Sequence, residues 1–298
     1  MKLLAVLLLL SSPAFAYVRS TNTNDLCIWW YPRGHGFQID VQGTPDVSNE
    51  ASFAAIRKSF VTWSDASCTN LTFQDDGLSS GSRAVGYFPG QANSNLILFR
   101  TRSCSEVVPA GDPCLAAGGC SNTYDCWDHG DAAIATTTTT SVSSTGQIQD
   151  TDTEFNDAPQ SDGRRFTFTA NDGPPCSTPN QTGCVLFDIQ NTMTHEAGHS
   201  LGLAHSADSA AAMFATAPAG ETSKRVLGAD DLQGICAIYP LNAKTVTCAG
   251  DPDVLAAQSS GGCGCSHTQA GPGATLGVLI GLVAAHRRRR RGPFPKVA

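Results

Sequence analysis

The sequence predicts an α+β fold, and three observations support this fold class. Short segments rich in β-branched and aromatic residues recur through the first half of the chain. Three longer segments show the apolar periodicity of amphipathic helices. Of the 298 residues, 41% are hydrophobic, which suffices for one sizeable core rather than several.

The predicted elements alternate along the chain and end on a helix. In the first helix, Phe53, Ile56, Phe60 and Trp63 fall on one face. The threonine-rich segment 132–142 has strand composition, with a low-complexity linker as the alternative. The alternation of residues in 147–156 predicts a half-exposed strand. The other predicted strands are 26–30, 36–41 and 95–99, and the predicted helices are 52–65, 186–201 and 229–239.

One segment carries a candidate metal site. If 186–201 is helical, His195 and His199 lie one turn apart on the same face and can chelate one metal ion. Gly202 can adopt a positive φ, end the helix and bring His205 round as a third ligand. Three protein ligands leave a fourth position for water, the arrangement of a catalytic zinc site rather than a structural one.

Helical phase supports this interpretation independently. Five apolar residues form a stripe that faces a core, and His195 and His199 project about 200° away from it at roughly 100° per residue. The same helix therefore presents one face to a core and the other to a cleft. The apolar stripe consists of Leu186, Ile189, Met193, Ala197 and Leu201.

Glu196 is the candidate catalytic residue. It stands beside the first ligand and can reach a zinc-bound water without being a ligand itself. There it would act as general base towards the water and later deliver the proton to the leaving amine. Histidines bind metal in their neutral form, so activity should fall in acid.

These residues resemble the metzincin signature HExxHxxGxxH followed by a methionine turn, here at Met213. The segments 55–64 and 227–235, and Ser206 after the third histidine, resemble the matrixin branch over roughly 26–240. The resemblance implies a zincin-like metzincin catalytic domain with a mixed twisted sheet, an active-site helix and a smaller C-terminal subdomain. It implies a matrixin-like zinc metalloendopeptidase.

The resemblance also implies roles for single residues. Met213 would support the ligand platform, and Asp231 would tie the last helix to the methionine turn, with an ordinary helix-start acid as the alternative. Residues 132–139 would pair with an extended peptide substrate by strand addition. His35 and His129 are too few to rebuild the structural zinc site of animal matrixins, and each is interpreted as a surface or hydrogen-bonded histidine.

Two other functions remain open. A surface binding or adhesion protein could keep the zinc fold and cleave nothing, although such a protein has no use for the base Glu196. A narrow peptidase acting on one envelope protein would differ in substrate rather than in mechanism. Residues 214–218 lack the wall motif usual in the family, so the sequence does not determine the substrate preference.

The charge of the chain limits its partners. Residues 17–262 hold all 26 acidic side chains and 12 of the 19 basic ones, a net charge of −14. This balance argues against nucleic acid or acidic membrane surfaces as partners of the domain. Calcium sites are compatible with such acidity, but no EF-hand loop occurs.

The N-terminus and the cysteines indicate export. Residues 1–16 combine a lysine, a short apolar run and a small-residue cleavage pattern, which is typical of a secretory signal peptide. Ten cysteines between 27 and 248 predict disulfide bonds in an oxidising compartment, with a cysteine zinc site as the rival. Cys176 with Cys184 and Cys236 with Cys248 are plausible pairs, and the cluster 104–126 is expected to staple a loop.

The C-terminus carries a second targeting pattern. A domain over 17–247 is followed by a linker, 248–262, and a tail, 263–298, with a Gly-Cys motif, a short apolar run and an arginine block. The tail resembles the MYXO-CTERM type of bacterial sorting signal, which implies a processing protease and a cell-surface or extracellular location. A retained tail anchor is the alternative, since short spans are tolerated with tilt or thinning.

Overall fold

The computed structural model describes residues 17–178, 181–241, 243–245 and 248, and the backbone of residues 275–279. The predicted signal peptide and the linker and tail after Cys248, apart from that short backbone stretch, lie outside the described residues. Among the described helices, none has the length and apolar character needed to cross a membrane.

A six-stranded mixed sheet forms the centre of the domain, which confirms the predicted α+β class. The strands are β1 (Gly34–Asp40), β2 (Thr72–Ser79), β3 (Leu96–Arg100), β4 (Ala135–Ser141), β5 (Ile148–Asn156) and β8 (Thr275–Leu279); β6 (Phe168–Thr169) and β7 (Phe187–Asp188) form a separate pair. The strand order in the large sheet is β2-β1-β3-β5-β4-β8. Strands β1, β2, β3 and β5 run parallel, whereas β4 is antiparallel to β5.

The three long helices are those that the sequence predicts. α1 (Asn49–Ser64) begins at Ser48, whose hydroxyl caps the helix by accepting from Ala51 N. α1 and α5 (Ile189–Ser200) pack against each other, and α5 also packs on β4. α6 (Ala229–Ile238) follows near the end of the domain, as predicted. Three one-turn helices were not predicted: α2 (Cys104–Val107), α3 (Cys114–Ala117) and α4 (Cys120–Tyr124).

Two strand predictions need correction. Residues 26–30 form only isolated bridges, from Cys27 to Thr21 and from Trp29 to Gln147, because successive residues pair with two separate segments of the chain. Strand β2 was not predicted, since its sequence TFQDDGLS is polar and its side chains are largely exposed at the edge of the sheet.

The outer edge of β4 is covered by the chain's own C-terminal region. The backbone of β8 runs antiparallel to β4, with Thr136 opposite Leu279 and Thr140 opposite Thr275. The hydrogen-bonding groups along this edge of β4 are thus paired with an extended segment. The edge that the sequence assigns to substrate pairing therefore accepts an antiparallel strand.

β5 is buried rather than half-exposed, which corrects the sequence prediction. On the side away from α5 it carries Asp150, Asp152 and Glu154, each about 1% exposed. A loop and the end of β3 cover this side: Gly86 N of the loop donates to Asp152, and the buried Arg100 of β3 donates from Nε to Glu154 at 2.6 Å. The alternation reflects two faces of one strand, but both faces are covered.

Five disulfides hold the described chain. The pair Cys176–Cys184 is confirmed, and Cys104–Cys126 with Cys114–Cys120 staple the loop as predicted. The predicted pair of Cys236 with Cys248 is wrong. Cys236 joins Cys68 and Cys248 joins Cys27, with Cα atoms 5.5 and 5.2 Å apart. The prediction relied on nearness in sequence, whereas the last segment of the domain folds back against the first and places Cys248 beside Cys27.

The buried acids of β5 make stability depend on pH. Burial raises the pKa of Asp150 to about 6, so folding favours its protonated form. The stabilising contribution is full below the unfolded pKa near 4 and is lost as pH rises through 6. Asparagine does not titrate and escapes this loss. From pH 4 to pH 8, we therefore expect the unfolding free energy of Asp150→Asn to rise by about 1–3 kcal/mol relative to that of the parent protein.

Urea unfolding with a chelator present measures this gain, and Glu106→Gln at an exposed position is the matched control. An equal effect of Asp150→Asn at both pH values would contradict the assignment. Repeating the series with calcium tests the expectation of a calcium site. Calcium stabilisation of the parent but not of the variant would place a cation at these carboxylates.

Candidate metal centre

The active-site helix α5 positions two of the three predicted ligands. Its first residue, Ile189, lies three residues after the predicted start, and Asp188 caps the helix with a carboxylate that accepts from Asn191 N at 2.7 Å. His195 and His199 lie one turn apart on the buried helix, with their Nε2 atoms 3.0 Å from each other. The spacing predicted from the sequence is thus realised as a pair of facing ring nitrogens.

Gly202 ends this helix in the manner predicted. Its φ of +93° is in the left-handed region, which glycine adopts at little cost. A Cβ here would also lie 2.5 Å from the carbonyl oxygen of Ile28. The turn directs His205 back towards the helix, and one ligand atom from each of the three histidines lies within 4.8 Å of the others.

Two backbone carbonyls fix the protonation of the ring nitrogens. His195 Nδ1 donates to Ala212 O at 2.6 Å, and His199 Nδ1 donates to Leu203 O at 2.8 Å. Because carbonyls only accept, each Nδ1 carries the proton and each Nε2 presents a lone pair. The two lone pairs face each other at 3.0 Å, an arrangement that a shared cation stabilises.

Burial keeps all three histidines neutral. It lowers the pKa of His199 to about 3 and that of His205 to about 4, and it lowers the pKa of His195 as well. His205 Nε2 is buried and has no hydrogen-bond partner within the described residues. Neutral imidazoles with free nitrogens are the donor set that suits a zinc ion, so the residues present fit this metal.

Glu196 is fully buried beside these ligands. Its Oε2 accepts a hydrogen bond from Thr137 Oγ1 at 2.7 Å, whereas its Oε1 is buried without a partner in the described part of the chain. Burial raises the pKa of Glu196 to about 8 in the metal-free protein, and the bond from Thr137 opposes this rise. A divalent cation nearby would lower the pKa and favour the carboxylate that a general base requires.

The turn at Met213 lies under the helix and is fixed by Asp231. One carboxylate oxygen of Asp231 accepts from Ala212 N at 2.6 Å and from Gly228 N at 2.7 Å, and the other accepts from Met213 N at 3.0 Å. Since Ala212 O holds His195, the Asp231 carboxylate acts on the metal ligand through one peptide unit. Asp231 is therefore more than an ordinary helix-start acid.

Met213 also explains a glycine within the motif. A Cβ on Gly198 would overlap Met213 Sδ and lie 2.8 Å from Trp63 Cζ2. Trp63 is anchored in turn, because its indole N–H donates to Thr194 O at 2.9 Å. Helix α5 can thus approach the turn and α1 closely only with glycine at this position.

A narrow recess adjoins the metal centre, with His195 on its wall. It is lined by Ile134, Thr192 and Phe214 and contains the buried Lys224. The ammonium of Lys224 donates to Thr216 O at 2.9 Å and pairs with Glu221 at 2.8 Å. A charged group close to the cleft was not anticipated from the sequence.

The structure brings all six predicted site residues into one region and places two other histidines elsewhere. His35 is buried against aromatic rings and contacts Thr151 Oγ1, and His129 contacts Glu154. Sequence reasoning missed Thr137 and Lys224. The signal for Thr137 was weak: it stands in a predicted strand beside the cleft, but nothing in a run of five threonines distinguishes it.

Comparison with known proteins agrees with this geometry. The matrixin family model matches residues 122–240, which include every residue of the metal centre and both strands β4 and β5. Human neutrophil collagenase is 48% identical over 77 residues, which cover 22% of this chain and 16% of that protein. Metalloendoproteinase 1 of Glycine max is 43% identical over 56 residues, which cover 19% of this chain and 18% of that protein.

The chain thus spans less than a fifth of the length of these curated relatives in the matched regions. The family match and the histidine cluster lie in the same stretch of sequence, residues 122–240. The part of the chain that holds the metal centre is thus similar to the matrixin family.

Proposed function

We propose that the whole protein is a zinc-dependent endopeptidase that hydrolyses peptide bonds in protein or peptide substrates. The observation that carries this proposal is the convergence of three neutral histidine nitrogens within 4.8 Å beside a buried glutamate. His195, His199 and His205 would hold the zinc ion. When bound, zinc polarises a peptide carbonyl and lowers the pKa of water towards neutrality.

The chain's own residues supply the proton transfers. Glu196 takes the proton of the attacking water and passes it to the leaving amine. Burial excludes bulk water from its carboxylate, which strengthens the electrostatic interactions in the cleft. The edge of β4 aligns the substrate backbone by antiparallel pairing, a proposal supported by the β8 segment paired there.

The proposal extends to the location of the protein. The signal-like residues 1–16 and the five disulfides support export, and the tail 263–298 supports processing by a sorting protease at the cell surface. The protein would then act extracellularly or at the cell surface, with its membrane association confined to the tail. Nucleic acid has no part in this function.

Cleavage of casein tests the proposal. The chain from Tyr17 onward, and the same chain ended at Gly262, are each purified and incubated with casein. We expect cleavage that a chelator abolishes and zinc restores. We expect the shorter form to cleave faster, because residues 275–279 no longer cover the edge of β4.

The same experiment decides between this function and a catalytically silent binding protein. The endopeptidase function would be contradicted if both forms bind zinc but neither cuts casein or a diverse peptide library. Glu196 favours the enzyme, since a fold that needs only metal has no use for a buried carboxylate with an unpartnered oxygen, a costly group to maintain.

A further inference from the structure

Thr137 holds the side chain of Glu196 from the neighbouring strand. Its hydroxyl lies 2.7 Å from Glu196 Oε2 and 3.3 Å from the backbone oxygen of the same residue. The shorter distance, to Oε2, is the usual length of an O–H···O hydrogen bond and marks the stronger of the two contacts. This is a side-chain contact between the sheet edge and the carboxylate proposed as general base.

The hydroxyl of Thr137 has a single proton to donate, and the contact with Thr153 shows how that proton is placed. A hydroxyl donates once and accepts elsewhere. Thr153, opposite Thr137 on β5, has its own hydroxyl 3.0 Å from Thr137 Oγ1. With Thr153 donating to Thr137 and Thr137 donating to Glu196, each hydroxyl has a consistent role, and the chain of bonds is strengthened cooperatively.

The arrangement distinguishes the two carboxylate oxygens of Glu196. Oε2 is engaged by Thr137, and Oε1 is buried with no partner in the described residues. A buried, unpartnered oxygen is costly unless it serves a purpose. The bond from Thr137 prevents the carboxylate from rotating freely and leaves Oε1 to accept the proton of water in the cleft.

We propose that Thr137 is a positioning residue that orients Glu196 for proton transfer through the bond to Oε2. This inference rests on the proposed endopeptidase function. It adds a specific role for one side chain in a run of five threonines on β4, and it assigns Thr153 to the support of that role.

The neighbouring residue provides a matched control. Thr136 is as buried as Thr137 and has the same size, but it points to the opposite face of β4 and its Oγ1 has no partner in the described chain. Replacing either threonine by valine removes one buried hydroxyl and keeps the shape. Thr137→Val alone breaks a bond to Glu196.

Kinetics on a fluorogenic peptide, built on a bond that the protein cuts in casein, test the role in catalysis. We expect Thr137→Val to lower kcat by about 10- to 100-fold with KM and zinc affinity nearly unchanged, as for other supports of catalytic groups. Thr137→Ser, which retains the hydroxyl, should recover most of the rate. Ser52→Ala, which removes from α1 a buried hydroxyl with no partner in the described chain, should match the parent in rate.

Unfolding of the metal-free protein gives a readout independent of activity. Thr137→Val should lower Tm more than Thr136→Val does, and this excess should shrink when Glu196 is already alanine, leaving only the part due to the bond with Thr153. Absence of such coupling, or an unchanged kcat in Thr137→Val, would overturn the inference. A parent protein that cleaves nothing would instead overturn the proposed function, before any variant is compared.

Discussion

Glu196→Gln is expected to reduce peptide cleavage by about 10²- to 10⁴-fold, the usual contribution of general acid–base catalysis. Glutamine has the shape of glutamate and can still accept the bond from Thr137, but it cannot take a proton from water. The three histidines are untouched. Zinc content, measured by atomic absorption after dialysis, should therefore equal that of the parent protein.

The control for this variant is Glu50→Gln, the same chemical change at an exposed position in the first turn of α1. It should leave the rate unchanged. Retention of most of the activity by Glu196→Gln would remove Glu196 as the base. Loss of both activity and zinc would show a role in metal binding instead, which the proposed mechanism does not contain.

Asp231→Ala is expected to give the largest loss of stability among the single changes considered. Two buried backbone N–H groups, of Ala212 and Met213, and the half-buried N–H of Gly228 lose their acceptor. Each unpartnered amide costs about 1–3 kcal/mol, and relaxation of the turn recovers part of this, so we expect a loss of about 3–5 kcal/mol. Urea unfolding of the metal-free protein measures it.

Zinc affinity should fall together with stability. The peptide group between Ala212 and Met213 donates its N–H to Asp231, and its carbonyl oxygen accepts from the metal ligand His195. Asp230→Ala is the adjacent comparison. Asp230 accepts from the hydroxyl of Ser206, so its replacement should cost less and leave zinc affinity nearly intact. Equal effects of the two alanine variants would show general damage to α6.

Much of the metal centre could be predicted because its geometry is local. His195 and His199 share one helix, and the positive φ of Gly202 brings His205 to them within a few residues. Helical periodicity and the conformational freedom of glycine are read directly from sequence spacing. The same holds for α1 and α6, whose apolar faces and ends are encoded within each segment.

Contacts between distant segments could not be predicted in this way. Cys27 pairs with Cys248 across 221 residues, and any of several partners was compatible with the sequence. The alternation in β5 indicated a polar face but not that loops would cover it. Thr137 meets Glu196 through packing of a strand on a helix, which depends on the register of β4 against β5.

The disulfide between Cys68 and Cys236 fastens the same helix that carries Asp231. Asp231, near the start of α6, binds the turn that holds His195. Cys236, near the end of α6, is bonded to Cys68 in the loop after α1. Cutting that tether with a thiol would give α6 freedom to shift, and the first consequence would appear at the metal ligands rather than in the sheet. Replacing both Cys68 and Cys236 by serine should thus weaken zinc retention more than it destabilises the sheet.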